Sequence, residues 1–358
     1  MSDAGFMVRA SELAERGLGH TRPNPAVGAV VVKDGKIIGE GWHKKAGRDH
    51  AEVAAIKDAL RRGVKSLKGT TIYVTLEPCS KPGRVGACTD AIIAAGISKV
   101  VYAIPDPNPT NRGKAKRALA KAGIKCERLK DKEVEARASA LIAPFAKHVT
   151  TGLPYVTVKI AMSLDGKICD DFGDARWVSS EAARRKTGRL RECVDAIMVG
   201  GETVRKDNPS LLSHGKPNPD LIRVIISKSG KLPKEAQVFT DGAPNRTLVF
   251  DDPKKALAEL GKVGVLHVLC EGGLKLATSL AEVGLVDEWL TVLSPVVIGN
   301  RRIADAVRPF ASSGCSDDVF CAFGGGKSFA KDKCCEVRSV GVNYSKNAKR
   351  VWQIEGKA

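Results

Sequence analysis

The 358-residue chain has few aromatic residues, a deficit of acid against base, and no long apolar run. Only nine Phe, four Trp and four Tyr occur, and no aromatic-basic ladder of the kind that stacks single-stranded bases is visible. No apolar stretch approaches the roughly 18 residues of a membrane span. The opening MSDAGFMVRASELAERG has no apolar signal core, so a cytoplasmic protein is expected. No Gly-x-Gly-x-x-Gly follows a strand-like run, which removes the common dinucleotide fingerprint. Low-complexity tracts and repeats of solenoid period are also missing.

What is present reads as an ordinary globular composition, with 43% hydrophobic and 27% charged residues. At roughly 150 residues per domain the length favours two domains. The formal net charge is +18, divided as +12 over residues 1–150 and +6 over the remainder. Such a balance favours an anionic partner, either a nucleic acid or a phosphorylated metabolite, and cannot choose between them. Ten cysteines in a chain of this length without a signal core read as reduced thiols. Cys126, Cys169, Cys193 and Cys270 sit among apolar neighbours and are expected to be small buried hydrophobes. The adjacent Cys334 and Cys335 suit neither an easy disulfide nor a familiar metal spacing. Cys79 and Cys88 are different.

Residues 26–32 and 37–41 are apolar runs flanking Lys33-Asp34-Gly35-Lys36, the pattern of a hairpin. A helical period from His50 to about Arg62 precedes the strand-like TIYVTL at 71–76. A further helix over Thr89–Ala95, the strand KVVYAI, a helix around Lys114–Ala122 and the strand IKCERL complete an α/β unit. Residues 131–151 read as a connecting helix, and the boundary is placed near residue 150, giving domains 1–150 and 151–358. Strands are expected at 155–162, 194–201, 221–227, 246–250 and 265–270, forming a second α/β domain. Residues 311–332, including FGGGK at 323–327, read as a surface loop.

His50-Ala51-Glu52 opens a helix, Pro78-Cys79 follows a strand, and Cys88 begins the next helix. A zinc ion held by His50, Cys79 and Cys88 would keep a fourth position for water, as catalytic zinc sites do. Glu52, left free, could take a proton from the attacking water and deliver it to a leaving amine. His-x-Glu followed by Pro-Cys is the pattern of zinc deaminases, whose second half is usually Cys-x-x-Cys. Here eight residues separate the cysteines, which points away from the cytidine and tRNA-adenosine branches. In the other half, Val265 to Cys270, then Glu271-Gly272-Gly273, then LKLATSLAEVG reads as strand, glycine turn and helix, with amides suited to a pyrophosphate.

The stretches HTRPNPAVGAVVVKDGKIIGEGWHKKAG, HAE, TLEPCSKPGRVGAC and IPDPNP closely resemble the deaminase half of the bifunctional riboflavin-biosynthesis deaminase/reductase family. LPYVTVKIAMSLDGKI, WVSS, VGGETVRKDNPSL and CEGG resemble its reductase half, in the same order. The resemblance spans nearly the whole chain. It implies an α/β protein with a cytidine-deaminase-like three-layer α/β/α domain followed by a dihydrofolate-reductase-like α/β domain. It also implies zinc-dependent deamination of a diaminopyrimidinone ribosyl phosphate, then NADPH-dependent reduction of the ribosyl group to ribityl.

By motif position the resemblance assigns His50, Cys79 and Cys88 to zinc and Glu52 to proton transfer. Asn24, His43 and Arg84 fall where the deaminase substrate is contacted. Ala161, Trp177, Thr203, Asp207, Gly272 and Gly273 align with cofactor contacts. Lys159, Ser163, Asp165, Arg191, Leu211, His214 and Glu271 align with residues that hold or shape the reductase substrate. Three departures stand out: Lys81 replaces a usual histidine, Gly86-Ala87 replaces a common pair of prolines, and His214 replaces an arginine suited to a phosphate. Two alternatives accompany this reading: a single-activity deaminase with a degenerate reductase domain, and a nucleic-acid binder or editor on the same zinc fold. The family's habit further implies a homodimer or homotetramer; the cysteine spacing and the second domain speak against a nucleic-acid partner, and the lack of a long apolar run against a membrane one.

Overall fold

Asp34 and Gly35 both lie at positive φ, 48° and 72°, the geometry of the two-residue turn that matches strand twist. They join β1 (Gly28–Lys33) to β2 (Lys36–Trp42), closing the ladder at Lys33 and Lys36. The structure, a computed structural model, describes residues 1–81, 86–213, 220–241 and 246–306, and the backbone of 319–324. The chain divides into two units, Met1–Tyr155 with Leu257–His267, and Val156–Ala256 with the described residues from Val268 onward.

In the first unit a five-stranded sheet runs β2-β1-β3-β4-β5, with β3 at Thr71–Leu76, β4 at Lys99–Ile104 and β5 at Lys125–Arg128. β1 is antiparallel to both β2 and β3, and β3, β4 and β5 are parallel to one another. Helices α1 (Asp3–Glu15) and α5 (Lys132–Thr151) pack on each other and on the sheet, whereas α2 (Ala51–Arg61), α3 (Cys88–Ala94) and α4 (Lys114–Lys121) form a second contiguous set. The inner strands β1, β3 and β4 are buried along most of their length, as a sheet covered by helices requires, whereas the edge strands β2 and β5 are more open. A Cβ added at Gly39 would lie 2.4 Å from the Ala55 carbonyl oxygen, and one at Gly41 would lie 2.3 Å from the Ala55 nitrogen. These two glycines let α2 seat directly on β2, and that seating fixes where the start of α2 lies.

The second unit contains a seven-stranded sheet ordered β12-β11-β6-β10-β7-β8-β9. Its strands are β6 (Tyr155–Ser163), β7 (Ala196–Gly200), β8 (Ile222–Ile226), β9 (Thr247–Phe250), β10 (His267–Cys270), β11 (Glu288–Ser294) and β12 (Val319–Gly324). β12 is antiparallel to β11, and the β10, β7, β8 and β9 series is parallel. Helices α6 (Glu181–Glu192), α7 (Gly201–Asp207), α8 (Gln237–Thr240), α9 (Pro253–Lys262) and α10 (Leu274–Glu282) connect the strands, α9 continuing from Ala256 into the Leu257–His267 segment of the first unit.

Two expectations change. Val319–Gly324 is a strand within the segment read as a surface loop, because β11 offers it a complete antiparallel ladder from Glu288 to Leu293. FGGGK therefore begins at the end of a strand, and its last three residues lie outside the described residues. Cys126 and Cys270 are buried as expected, but Cys169 and Cys193 are only half-buried. None of these four is in a disulfide. Cys334 and Cys335 lie outside the described residues.

Candidate functional site

His50 sits at the cap position of α2 in extended conformation and makes no side-chain capping bond, which leaves its imidazole available. Its Nδ1 lies 3.2 Å from Cys88 Sγ and 3.6 Å from Cys79 Sγ. With zinc-sulfur and zinc-nitrogen bonds of about 2.3 and 2.0–2.1 Å, a tetrahedral ion would separate such donors by about 3.6 Å. The three donor atoms all fall within 4.8 Å of one another, so the set fits a zinc ion. It is the one such group among the described residues.

The start of α3 prepares Cys79. Its sulfur accepts the Cys88 backbone N–H at 3.3 Å, and its carbonyl accepts the Thr89 N–H at 3.2 Å. Hydrogen bonding from the Cys88 thiol, aided by His50, holds Cys79 well below the usual thiol range, while the same contact and burial push Cys88 up. A thiolate is the form that binds a metal.

Glu52 lies in the first turn of α2 and is 3% exposed. Burial, reinforced by the charge on Cys79, pushes its carboxyl up to about 7. A carboxyl in that range can both accept and return a proton near neutrality. Beside His50, the His43 Nδ1–H donates to the Asp49 carbonyl at 3.0 Å, and His43 Nε2 accepts from Asn24 Nδ2 at 3.1 Å. These partners select the neutral tautomer, and burial lowers the His43 pKa further in that direction. The His43 and His50 rings meet edge-on at 5.1 Å. Asn24, His43 and the metal-ligating set are thus brought together, whereas Arg84 lies outside the described residues.

In the second unit Lys159, Ala161 and Ser163 share one face of β6, two residues apart, opposite Leu290, Val292 and Ser294 of β11. The Glu271 carboxylate, at the end of β10, accepts both Arg191 Nε and Nη2 at 2.7 and 3.1 Å, and Arg191 Nη1 donates to the Leu212 carbonyl at 3.0 Å. Burial alone would raise Glu271, but Arg191, with Lys159 adding to it, holds its carboxyl below the ordinary range. Lys159, Arg191, Glu271 and the segment carrying Leu211 are therefore one electrostatic group. Leu211 is buried at a φ of 57°.

Other predicted positions have local partners. Asp165 accepts the Ile298 and Gly299 amides at 3.1 and 2.7 Å, and hydrogen bonding from Ser163 and these amides lowers its carboxyl to about 2. Ser163 Oγ accepts the Lys167 N–H at 2.9 Å. Trp177 is 59% exposed, with the Arg184 guanidinium 4.3 Å above its ring, so it is not a core aromatic. Its neighbour Arg176 donates to the carbonyl of Asp207, the last residue of α7, in which Thr203 also stands. At the start of α10, a Cβ on Gly272 would come 2.8 Å from Leu276 Cδ2, whereas one on Gly273 would meet only open space. α10 has no side-chain cap, so its first amides and the open Gly273 fit a cofactor phosphate. His214 lies outside the described residues.

Sequence reasoning misses Arg223, the second residue of β8, which is 1% exposed. It pairs with Asp241 and donates to the Ser210 carbonyl at 3.0 Å, steadying the chain one residue before Leu211. The signal was one charge inside an otherwise apolar strand.

The cytidine and deoxycytidylate deaminase zinc-binding region matches residues 1–104, and the RibD C-terminal domain matches residues 154–312. The riboflavin biosynthesis protein RibD of Aquifex aeolicus is 38% identical over 320 residues, an alignment covering 83% of this chain and 88% of that protein. The chain belongs to the RibD family. RibD of Escherichia coli is 35% identical over 335 residues, covering 84% and 89% of the two chains. A Thermotoga maritima structure described as a diaminohydroxyphosphoribosylaminopyrimidine deaminase/5-amino-6-(5-phosphoribosylamino)uracil reductase has a TM-score of 0.75 at 35% identity, covering 84% of this chain and 88% of that one. An Acinetobacter baumannii RibD structure gives 0.73 at 35% identity, with 87% and 92% covered. As a RibD-family protein, the chain pairs a cytidine-deaminase-like α/β domain with a RibD reductase domain, and the zinc and NADPH expected from the sequence are the cofactors of those domains.

Proposed function

We propose that this RibD-family chain carries out two successive steps of riboflavin biosynthesis. Residues 1–150 would deaminate a diaminopyrimidinone ribosyl phosphate, and residues 151–358 would reduce the ribosyl group of the product to ribityl. The observation that carries the reading is the convergence of His50, Cys79 and Cys88 on one point, with buried Glu52 in the same helical turn as His50. Membership of the family favours two activities over a degenerate second domain.

In the deaminase, His50, Cys79 and Cys88 would hold zinc, which supplies Lewis acidity toward water. Glu52 takes the proton from the attacking water and returns it to the departing amine, a role suited to a carboxyl near 7. Asn24 and neutral His43 orient the pyrimidine, and Arg84 pairs with the phosphate. In the reductase, NADPH supplies the hydride. Gly272, Gly273, Ala161, Trp177, Thr203 and Asp207 bind it. Arg191 and Glu271 fix each other beside Lys159 and, with Ser163, Asp165, Leu211 and His214, shape the sugar-phosphate site.

The basic charge suits this anionic substrate and needs no nucleic acid. No described helix is long and apolar enough to cross a membrane; we assign the enzyme to the cytoplasm, as a homodimer or homotetramer. The test is a zinc-to-protein ratio with turnover of the diaminopyrimidinone ribosyl phosphate, with and without NADPH. About one zinc per chain is expected, with deamination in the absence of cofactor and NADPH consumption only after it. Deamination without NADPH loss would make the second domain a scaffold. Absence of both zinc and deamination would refute the reading.

A further inference from the structure

The residues flanking Cys79 are held by a side chain from a distant loop. Asn111 is 7% exposed, and both ends of its amide are engaged. Its Oδ1 accepts the Ser80 N–H at 2.9 Å and the Ser80 hydroxyl at 3.2 Å. Its Nδ2 donates to the Pro78 carbonyl at 3.4 Å and to Asp106 Oδ2 at 2.8 Å. One amide therefore grips the backbone on both sides of Cys79, before and after it in the chain.

The loop that delivers Asn111 is itself tied to the end of β3. Glu77, 3% exposed, accepts the backbone N–H groups of Asp106, Gly113 and Ala115 at 3.3, 3.1 and 3.4 Å. Gly113 is the cap residue of α4, so this buried carboxylate also lies at a helix N-terminus, where negative charge is favoured. Glu77 thus fixes the 106–115 segment, and Asn111 returns from that segment to fix Pro78-Cys79-Ser80. Cys79 follows β3 on a loop, whereas the other two ligands sit at helix starts, so it is the ligand that draws on such support.

We propose that Asn111 is a positioning residue for the metal: it presents the Cys79 sulfur toward His50 and Cys88, with Glu77 holding the loop from which it reaches. This inference rests on the assignment of zinc to those three residues. Asn111→Asp is nearly isosteric and keeps an acceptor for Ser80. It replaces the donor with a carboxylate oxygen facing the Pro78 carbonyl and Asp106. Partners that orient metal ligands typically change affinity by roughly 10- to 100-fold when removed.

The experiment measures zinc dissociation from the full-length wild type, Asn111→Asp and Asn111→Ser by competition with a chromophoric chelator. Thermal unfolding of the metal-free chains and NADPH oxidation with the deaminated substrate are measured beside it. The expected result is a zinc Kd raised roughly 10- to 100-fold, beyond the modest fall in metal-free unfolding midpoint that the lost buried hydrogen bonds bring to both variants, with the reductase rate unchanged. Cobalt-loaded protein should show a weakened thiolate-to-metal charge-transfer band in the variants. Where Asp at 111 prevents folding, the Ser variant decides alone. A zinc Kd within about two-fold of wild type in the folded variants would overturn the inference while leaving the zinc site standing. Loss of zinc affinity only in step with metal-free unfolding and reductase activity would overturn it as well. A wild type that takes up no zinc would instead refute the zinc assignment, and with it the role of Asn111.

Discussion

Replacing Arg191 with Met tests whether the reductase site rests on the buried pair it forms with Glu271. Methionine preserves much of the apolar stem, so the change chiefly removes the guanidinium. Glu271 then loses two charge-assisted bonds of 2.7 and 3.1 Å, and the Leu212 carbonyl loses a donor. Removing one partner of a buried pair costs about 3–5 kcal/mol. The Glu271 and Arg191 side chains are 9% and 21% exposed, so the lower end applies. At roughly 2–4 °C per kcal/mol for a domain of this size, about 3 kcal/mol lowers the reductase unfolding midpoint by about 6–12 °C. Removing both charges, in R191M/E271M, should recover most of that loss, because the desolvation cost leaves with them.

The pH dependence of the same variant has a definite sign. In the wild type the Glu271 carboxyl is depressed, so its stabilisation is fully present above the unfolded value of about 4.3 and is lost as pH falls through the folded one. In R191M burial acts with less opposition and raises the carboxyl, so the penalty should shrink on acidification from pH 8 toward 5 as Glu271 takes up a proton. Calorimetric scans of both chains across that range provide the check. A midpoint shift below about 2 °C for R191M, or a double variant less stable than either single one, would refute the argument.

Four further substitutions separate the two sites. Glu52→Gln should lower ammonia release by roughly 10²- to 10⁴-fold while zinc content and NADPH oxidation on the deaminated substrate stay unchanged; a deaminase within about tenfold of wild type would remove Glu52 from proton transfer. At the α10 turn, Gly272→Ala must push Leu276 aside from a 2.8 Å contact and should cost about 1–3 kcal/mol of stability. Gly273→Ala meets open space, so it should leave the unfolding midpoint alone and raise the KM for NADPH; an unchanged KM would argue against a cofactor phosphate there. His214→Arg introduces a permanent guanidinium and should lower the reductase KM for the phosphorylated substrate with little change in kcat, as steady-state kinetics would read directly.

What could be read from the amino acids depended on how far apart in the chain the deciding contacts lie. β3 at Thr71–Leu76 and the Asp34-Gly35 hairpin follow from patterns a few residues long, and the structure reproduces them. His-x-Glu and Pro-Cys are equally local as motifs, because helix starts and a strand end carry them, although what holds Cys79 toward the other two ligands comes from the distant Asn111. β11 was harder: its EWLTVLS is half-exposed along most of its length and shows no clean alternation. β12 depends on β11 for its ladder, and Gly- and Ser-rich flanks mask it. The Arg191–Glu271 pair spans 80 positions and Asn111 reaches 31 positions back to Ser80. Motif position could nominate Arg191 and Glu271 singly, yet only the folded sheet shows that each is the other's partner. That distinction governs the mutational behaviour: a residue nominated as a substrate contact but already neutralised by its neighbour will lower stability when replaced, so kinetic loss at Arg191 or Glu271 counts as a catalytic effect only after the unfolding midpoint has been restored in the double variant.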